Sequence, residues 1–303
     1  MDIYLPVAGV SVNAFVIVAL GGVVGLLTGM VGLGGGFLTS PILMFYGIPP
    51  AVAVASAATQ ITGTSISGML AYRRRKGVDY RMGAVLIIGG VVGSLTGGLL
   101  FRLLQQSGQI DTAIALLYVI LLLGIGLLMA REAAVALDII RPRRTPKPAP
   151  RHNPLIAALP MRWRFYQSGL YISPLAPLIL GFVGGLLTTL LGVGGGFIVV
   201  PAMIYLLGMS SQVVVGTSLM QIVVVTAVTT LVHATTTKAV DIVLAALLLI
   251  GSVIGAQVGV QFAQKVKPEL LRMFLAIIVL TVAFRMAAGL GWRPPEIYSV
   301  ELL

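Results

Sequence analysis

An all-α integral membrane fold, built from two inverted-topology repeats of about five helical segments each, is what this chain predicts. Three observations carry that expectation. Apolar residues make up 58% of the chain and charged residues only 10%, against about 25% charged in a soluble domain. The stretch GLLTGMVGLGGGFLTSP, Gly25 to Pro41, returns as GLLTTLLGVGGGFIVVP, Gly185 to Pro201. The basic residues are collected in a few short segments rather than spread over the chain.

Apolar runs fall at 13–33, 36–48, 51–72, 82–104, 111–130, 174–193, 196–208, 210–235, 240–263 and 270–290. A span needs about 20 residues, with a range of roughly 17–25, so eight runs qualify. The other two, Phe37 to Ile48 and Phe197 to Gly208, have 12 residues each. At ~1.5 Å per residue they reach ~18 Å, roughly half the hydrocarbon core. Each follows a glycine cluster and reads as a glycine-broken half-helix. Broken helix is tolerated at membrane depth only where protein or a wet cavity satisfies the freed backbone groups. A pair of such breaks, one per half, is a pointer to a transport site.

The repeat continues beyond the glycines. Gln60 aligns with Gln221, Lys76-Gly-Val-Asp79 with Lys238-Ala-Val-Asp241, and Gly89, Gly93 and Gly97 with Gly251, Gly255 and Gly259. The offsets run in order, 160, 161 and 162 residues. Residues 1–130 form the first repeat, 131–173 a basic Pro-rich linker and 174–303 the second repeat.

Charge gives the orientation. Of the 20 Lys and Arg, five lie between Arg73 and Arg81 and eight between Arg131 and Arg164. Cytoplasmic loops collect Lys and Arg, which accounts for most of the formal charge of +11 and leaves no basic face for nucleic acid. The basic loop follows the third segment in the first half and the fourth in the second, so equivalent loops lie on opposite sides of the membrane. Both termini are expected outside, and the linker in the cytoplasm. Arg162-Trp-Arg-Phe-Tyr166 reads as an interfacial anchor.

The chemistry expected within the membrane is uncharged. The clusters Gly32-Leu-Gly-Gly-Gly36 and Gly192-Val-Gly-Gly-Gly196 allow unusual dihedrals and close approach. The half-helices after them present backbone N–H groups and a positive dipole end, an anion site without a cation. The third segment of each half is polar: Ser56, Thr59, Gln60, Thr62, Thr64 and Ser65, against Thr217, Ser218, Gln221, Thr226, Thr229 and Thr230. Gln60 is ~14 Å in from Ala51, near the midplane, and Gln221 is equally deep. A neutral amide offers two donors and an acceptor. The expected substrate-binding residues are therefore Gly34, Gly35, Gly36, Phe37, Ser56, Thr59, Gln60, Gly194, Gly195, Gly196, Phe197, Thr217, Ser218 and Gln221. The scattered glycines such as Gly89, Gly93 and Gly97 fit tight helix packing.

No Asp, Glu, Lys or Arg falls deep in a span, so a proton relay on a buried carboxylate has no candidate. His233 is read as an interfacial histidine near the outer end of its helix. Cysteine is absent, which excludes disulfides and thiolate chemistry; no metal, cofactor or catalytic constellation is expected, and an enzyme is not the reading.

The paired GxGGGxxxxP elements, Gly32 to Pro41 (GLGGGFLTSP) and Gly192 to Pro201 (GVGGGFIVVP), resemble those of the TauE/SafE sulfite exporter family of bacterial permeases. The resemblance covers essentially residues 13–290. It implies a secondary transporter of small sulfur-containing anions: sulfite, sulfonates, sulfoacetate and related organosulfur anions. The expected partners are such an anion and the membrane lipids; a passive channel for small anions or neutral solutes is the alternative.

Overall fold

The computed structural model describes residues 2–31, 36–73, 78–136, 163–165, 167–209, 211–263 and 268–291. Helices dominate: α1 (Ala14–Val31), α2 (Thr39–Phe45), α3 (Pro50–Arg73), α4 (Tyr80–Gln106) and α5 (Ile110–Ala136), then α6 (Leu175–Leu191), α7 (Gly196–Tyr205), α8 (Ser211–Val232), α9 (Ile242–Ala263) and α10 (Pro268–Gly291). A π-helical turn, His233–Thr237, extends α8. The two short arms expected after the glycine clusters are present as α2 and α7, with Pro41 and Pro201 inside them.

Five helices among the described residues are long and apolar enough to cross a membrane: Tyr80–Gln106, Ile110–Val135, Val213–Thr237, Ile242–Gly259 and Met273–Gly291. Ala14–Met30 and Leu175–Leu191 are shorter apolar helices. On α4 the side chains of Ile88, Val92, Leu95, Leu99 and Leu103 form an exposed stripe, while Gly89, Gly90, Gly93, Gly97 and Gly98 are buried. An apolar exterior over a glycine-rich interior suits a helix bathed in lipid, where close packing rather than burial from water holds helices together.

Two antiparallel hairpins precede the helical sets and were not foreseen from the sequence. Strand β1 (Asp2–Leu5) pairs with β2 (Val10–Asn13) before α1, and β3 (Trp163–Phe165) with β4 (Leu170–Ile172) before α6. Of the linker range 131–173, the described parts are the end of α5 and this second hairpin. The rest of the range, and the Arg74–Lys76 loop, lie outside the described residues.

The hairpins share the internal repeat. Leu5, Val12, Leu43, Ala53, Leu244 and Leu248 gather in one core. Phe165, Ile172, Met203, Val214, Met82 and Leu86 gather in the other. Leu5 and Phe165 differ by 160, Ala53 and Val214 by 161, Met82 and Leu244 by 162. Each core therefore mixes the start of one half with the fourth segment of the other. In the first, Leu43 of α2 and Ile48 after it share a cluster with Ile17 near the start of α1, so α2 runs back toward the end of the molecule where α1 begins.

The helices pair by close backbone approach. Gly21, Gly25 and Gly29 of α1 face the backbones of Leu248, Ser252 and Ala256 of α9. Gly181 and Gly185 of α6 face Leu86 and Gly90 of α4 in the same way. Residue numbers rise together in both pairs, so the helices run parallel. Between α3 and α8 they run oppositely: Thr59 meets Thr230 at 3.3 Å, Thr62 meets Thr226 at 2.9 Å, and Gly68 faces Leu219.

Two buried carboxylates tie the halves together. Asp79 caps α4, its side chain accepting from the amides of Arg81 and Met82. Asp241 accepts from Val243 and Leu244 at the start of α9. The backbone N–H of Asp79 donates to Thr217 Oγ1 at 3.0 Å, and that of Asp241 donates to Ser56 Oγ at 3.2 Å. Each cap also reaches a hairpin: Ser168 donates to Asp79 Oδ2 through its amide and hydroxyl, and the Val7 amide donates to Asp241 Oδ2.

Candidate functional site

The site is built where the two short arms meet. Phe37 and Phe197, the first aromatic after each glycine cluster, stack with ring centroids 4.0 Å apart and planes 8° from parallel. Both are buried. Aromatic pairs prefer offset-stacked or edge-on geometry, and the near-parallel planes put this pair in the stacked class.

The second break is described in full. Helix α6 ends on Gly192 in the left-handed region at φ 67°, and Gly194 and Gly195 follow at φ 77° and 70°. Residues with a Cβ rarely take these values. A Cβ on Gly194 would also lie 2.8 Å from Ile61 of α3. The amides of Gly196, Ile198 and Val199 are spent locally on the carbonyls of Gly194 and Gly195. That removes three of the backbone donors expected to face a ligand, and shifts attention to side chains.

The two glutamines sit beside the breaks in different states. Thr39 Oγ1 donates to Gln60 Oε1 at 3.1 Å, and a Cβ on Gly36 would lie 3.1 Å from the same oxygen. Gln221 is fully buried, yet its Nε2 and Oε1 have no hydrogen-bond partner, alone among the buried side chains of the described residues. Its Nε2 points at missing side chains: a Cβ on Gly90 or Gly184 would lie 3.5 or 3.6 Å away. Gly184 in turn borders the break, since a Cβ on Gly195 would lie 3.4 Å from the Gly184 carbonyl oxygen.

The cause of the difference lies in the repeat. Thr39-Ser40 of the first motif is replaced by Val199-Val200 in the second. Val199 flanks Gly184, 2.8 Å from a Cβ placed there, and has no hydroxyl to offer. Ser40 Oγ donates across the molecule to the Leu191 carbonyl at 3.3 Å. The buried Tyr118 hydroxyl donates to the same carbonyl, one residue before the second break. A carbonyl at a helix C-terminus has no partner within its helix, and two hydroxyls of the first half fill that role.

Of the residues singled out from the sequence, Gly36, Phe37, Gln60, Gly194, Gly195, Gly196, Phe197 and Gln221 lie on or beside the meeting tips. Gly34 and Gly35 lie outside the described residues. Ser56 and Thr217, one turn before Gln60 and Gln221, are engaged by the backbones of Asp241 and Asp79 at the starts of α9 and α4. Thr59 donates to its own Ala55 carbonyl and meets Thr230, and Ser218 donates to Val215. Thr39, Ser40 and Tyr118 were not singled out; only the mismatch between the two motif copies marked the first two.

His233 differs from expectation. It is buried rather than interfacial, edge-on to Phe101 at 4.7 Å, with Nε2 2.9 Å from the Thr189 carbonyl and Nδ1 3.1 Å from Thr237 Oγ1. The carbonyl requires Nε2 to carry the proton. Thr189 belongs to a buried hydroxyl cluster with Ser94 and Thr229, at 2.7–3.1 Å. Among the described residues no group of three His, Cys, Asp or Glu side chains is placed to hold a metal.

The chain is similar to several membrane proteins. Probable membrane transporter protein YjnA of Bacillus subtilis is 28% identical over 273 residues, 89% of this chain and 98% of that protein. Probable membrane transporter protein YunE of the same organism is 27% identical over 277 residues, 88% and 94% of the two chains. Probable membrane transporter protein MJ0441 of Methanocaldococcus jannaschii is 25% identical over 278 residues, covering 87% and 91%. No solved structure matches. Residues 17–286 match the family described as Sulfite exporter TauE/SafE, and the chain belongs to that family, a multi-pass membrane transporter.

Proposed function

We propose that this transporter is a secondary carrier of small sulfur-containing anions, such as sulfite, sulfonates or sulfoacetate, working by alternating access around the two glycine breaks. The observation that carries the reading is the meeting of the breaks at Phe37 and Phe197, with Gln60 and the unpaired Gln221 beside them. Stacked tips form the barrier that a substrate must part. Neutral amides attract an oxyanion without trapping it, because each contributes a dipole and no formal charge.

The two halves act as inverted repeats in this mechanism. The opposed running of the equivalent helices α3 and α8 supports this, as does the exchange of partners by which α1 packs on α9 and α4 on α6. Rocking one half against the other then opens the site to one side at a time. In this reading the basic loops face the cytoplasm, as Lys- and Arg-rich loops do, with residues 131–173 inside and both termini outside the inner membrane. The native chain has no cysteine, so single cysteines at Ser107 and in the Arg74–Lys76 loop test the sidedness by impermeant labelling. Labelling both from the same face would overturn it.

Transport is tested with purified protein in liposomes. Labelled sulfite or a simple sulfonate is expected to cross with saturable kinetics. Flux without saturation would identify a channel instead. No flux of any sulfur oxyanion under any imposed ion gradient would end the proposal.

A further inference from the structure

The unpaired amide of Gln221 carries a statement about the ligand that goes beyond its being an anion, and it rests on the transport reading above. Buried polar groups nearly always find a partner, and leaving one unmade costs the full desolvation of that group. Here both ends of one carboxamide are left open, a donor at Nε2 and an acceptor at Oε1. The repeat-equivalent Gln60 has its Oε1 held by Thr39, and the residue that would do the same for Gln221 is Val199. The difference between the two amides therefore lies on the second half. Gly90 and Gly184 face Nε2, and the apolar side chains of Val225 and Val199, packed on the same two glycines, offer it no hydrogen-bond partner.

We propose that Gln221 determines specificity by accepting as well as donating, and that the substrate is a sulfur oxyanion carrying a hydrogen-bond donor of its own. Nε2–H donates to an anionic oxygen of the ligand, and Oε1 accepts from an O–H or N–H next to it. A bare oxyanion satisfies only half of the amide and leaves Oε1 buried and unpaired. Two sources supply the donor: protonation of the oxyanion itself, as in hydrogensulfite, or a hydroxyl or amine on an organic sulfonate. The first source also carries a proton with each anion, on the substrate itself.

Three probes separate the possibilities in binding titrations on the detergent-purified chain. These are sulfite across its second ionisation, 2-hydroxyethanesulfonate, and ethanesulfonate as the analogue lacking a donor. Ethanesulfonate is expected to bind about tenfold or more weaker than the donor-bearing ligand, the factor for one hydrogen bond to a buried group. If protonation is the source, the apparent affinity for sulfite falls about tenfold per pH unit above its second ionisation. If the carbon-borne donor is the source, 2-hydroxyethanesulfonate binds with no such pH dependence. Ethanesulfonate binding as well as its hydroxy analogue, together with sulfite binding that ignores pH, would overturn the inference and leave the carrier reading intact. Failure of all three to bind would sink both.

Two variants place the effect on the residue. Gln221→Met removes both open ends at similar volume, so the unliganded protein should melt no lower while ligand binding weakens about tenfold or more. Val199→Thr restores to the second half the hydroxyl that Gln60 enjoys, and is expected to weaken binding in the same direction by competing for Oε1. Unchanged affinity in Gln221→Met would mean the amide contributes nothing to recognition, and the assignment fails.

Discussion

Two helix pairs perform the same packing task with different chemistry. Where α1 lies on α9, Gly29 faces the backbone of Ala256. Where α4 lies on α6, the repeat-equivalent positions are Ser94 and Thr189, hydroxyl to hydroxyl at 2.8 Å. Gly68 of α3 likewise corresponds to Thr229 of α8, the third member of that cluster. Glycine sets the backbone approach in both pairs, and the hydrogen-bond network exists in one alone. The same split recurs at the breaks, where Thr39 and Ser40 find partners and Val199 and Val200 have no hydroxyl to use. The two copies keep the glycine contacts that shape the fold and differ in their polar side chains.

The shared part is the most sensitive to attack. A Cβ on Gly93 would run into the Phe182 carbonyl, and one on Gly255 into the Gly22 carbonyl. Backbone cannot rotate away as a side chain can, so leucine at either position must separate a helix pair. Gly93→Leu and Gly255→Leu are each expected to lose ~3 kcal/mol, the upper end for overpacking. The check is the yield of monodisperse protein and its melting temperature. Similar losses support the equivalence of the two pairs; a tolerated Gly255→Leu would break it.

Next comes the partner of Gln60. Thr39→Val would recreate in the first half the open amide of the second, at a cost of ~1–3 kcal/mol for the group left unsatisfied. A drop in melting temperature without ligand measures it. If Thr39→Val is neutral, Gln60 is satisfied by other means and the contrast with Gln221 weakens.

Much of this architecture was legible in advance because it depends on short-range pattern. Three adjacent glycines before a run of 12 apolar residues imply a helix break and a half-length arm, and α2 and α7 follow. Gln60 and Gln221 stood out because a carboxamide deep in an apolar run needs a reason. What escaped notice depends on tertiary pairing. The hairpins at 2–13 and 163–172 are too short and too mixed in composition to announce strands. The engagement of Ser56 and Thr217 by Asp241 and Asp79 requires knowing that each α3-type helix abuts the other half's fourth helix. His233 looked interfacial because it lies near the outer end of its helix; its burial depends on Phe101 and Thr189, remote in the chain. The Thr39–Val199 mismatch was visible on the page, but its meaning needed the hydroxyl's actual target.

The two capping carboxylates sharpen the comparison at smaller energies. Asp79 serves two helix amides and both the amide and hydroxyl of Ser168, while Asp241 serves two helix amides and the amide of Val7. Loss of a cap costs ~0.5–2 kcal/mol. Asp79→Ala should exceed Asp241→Ala by about one hydrogen bond, ~0.5–1.5 kcal/mol. Parallel thermal melts decide it, and a reversed order would show that the β3–β4 hairpin does not load the Asp79 cap.

The smallest effect belongs to the hydroxyl cluster itself. Ser94→Ala removes two contacts, yet Thr189 and Thr229 remain 3.1 Å apart and keep each other satisfied. Interhelical hydrogen bonds in membranes average ~0.6 kcal/mol with a maximum near 1.7, so a loss below ~1 kcal/mol is expected. The reciprocal change, Ala256→Ser, places a hydroxyl against glycine backbone, where it can bond the carbonyl one turn back in its own helix; its effect should be close to zero. If Ser94→Ala instead costs more than Asp79→Ala, the hydroxyls rather than the glycines hold α4 on α6. The two pairs would then be held by different forces despite their common descent.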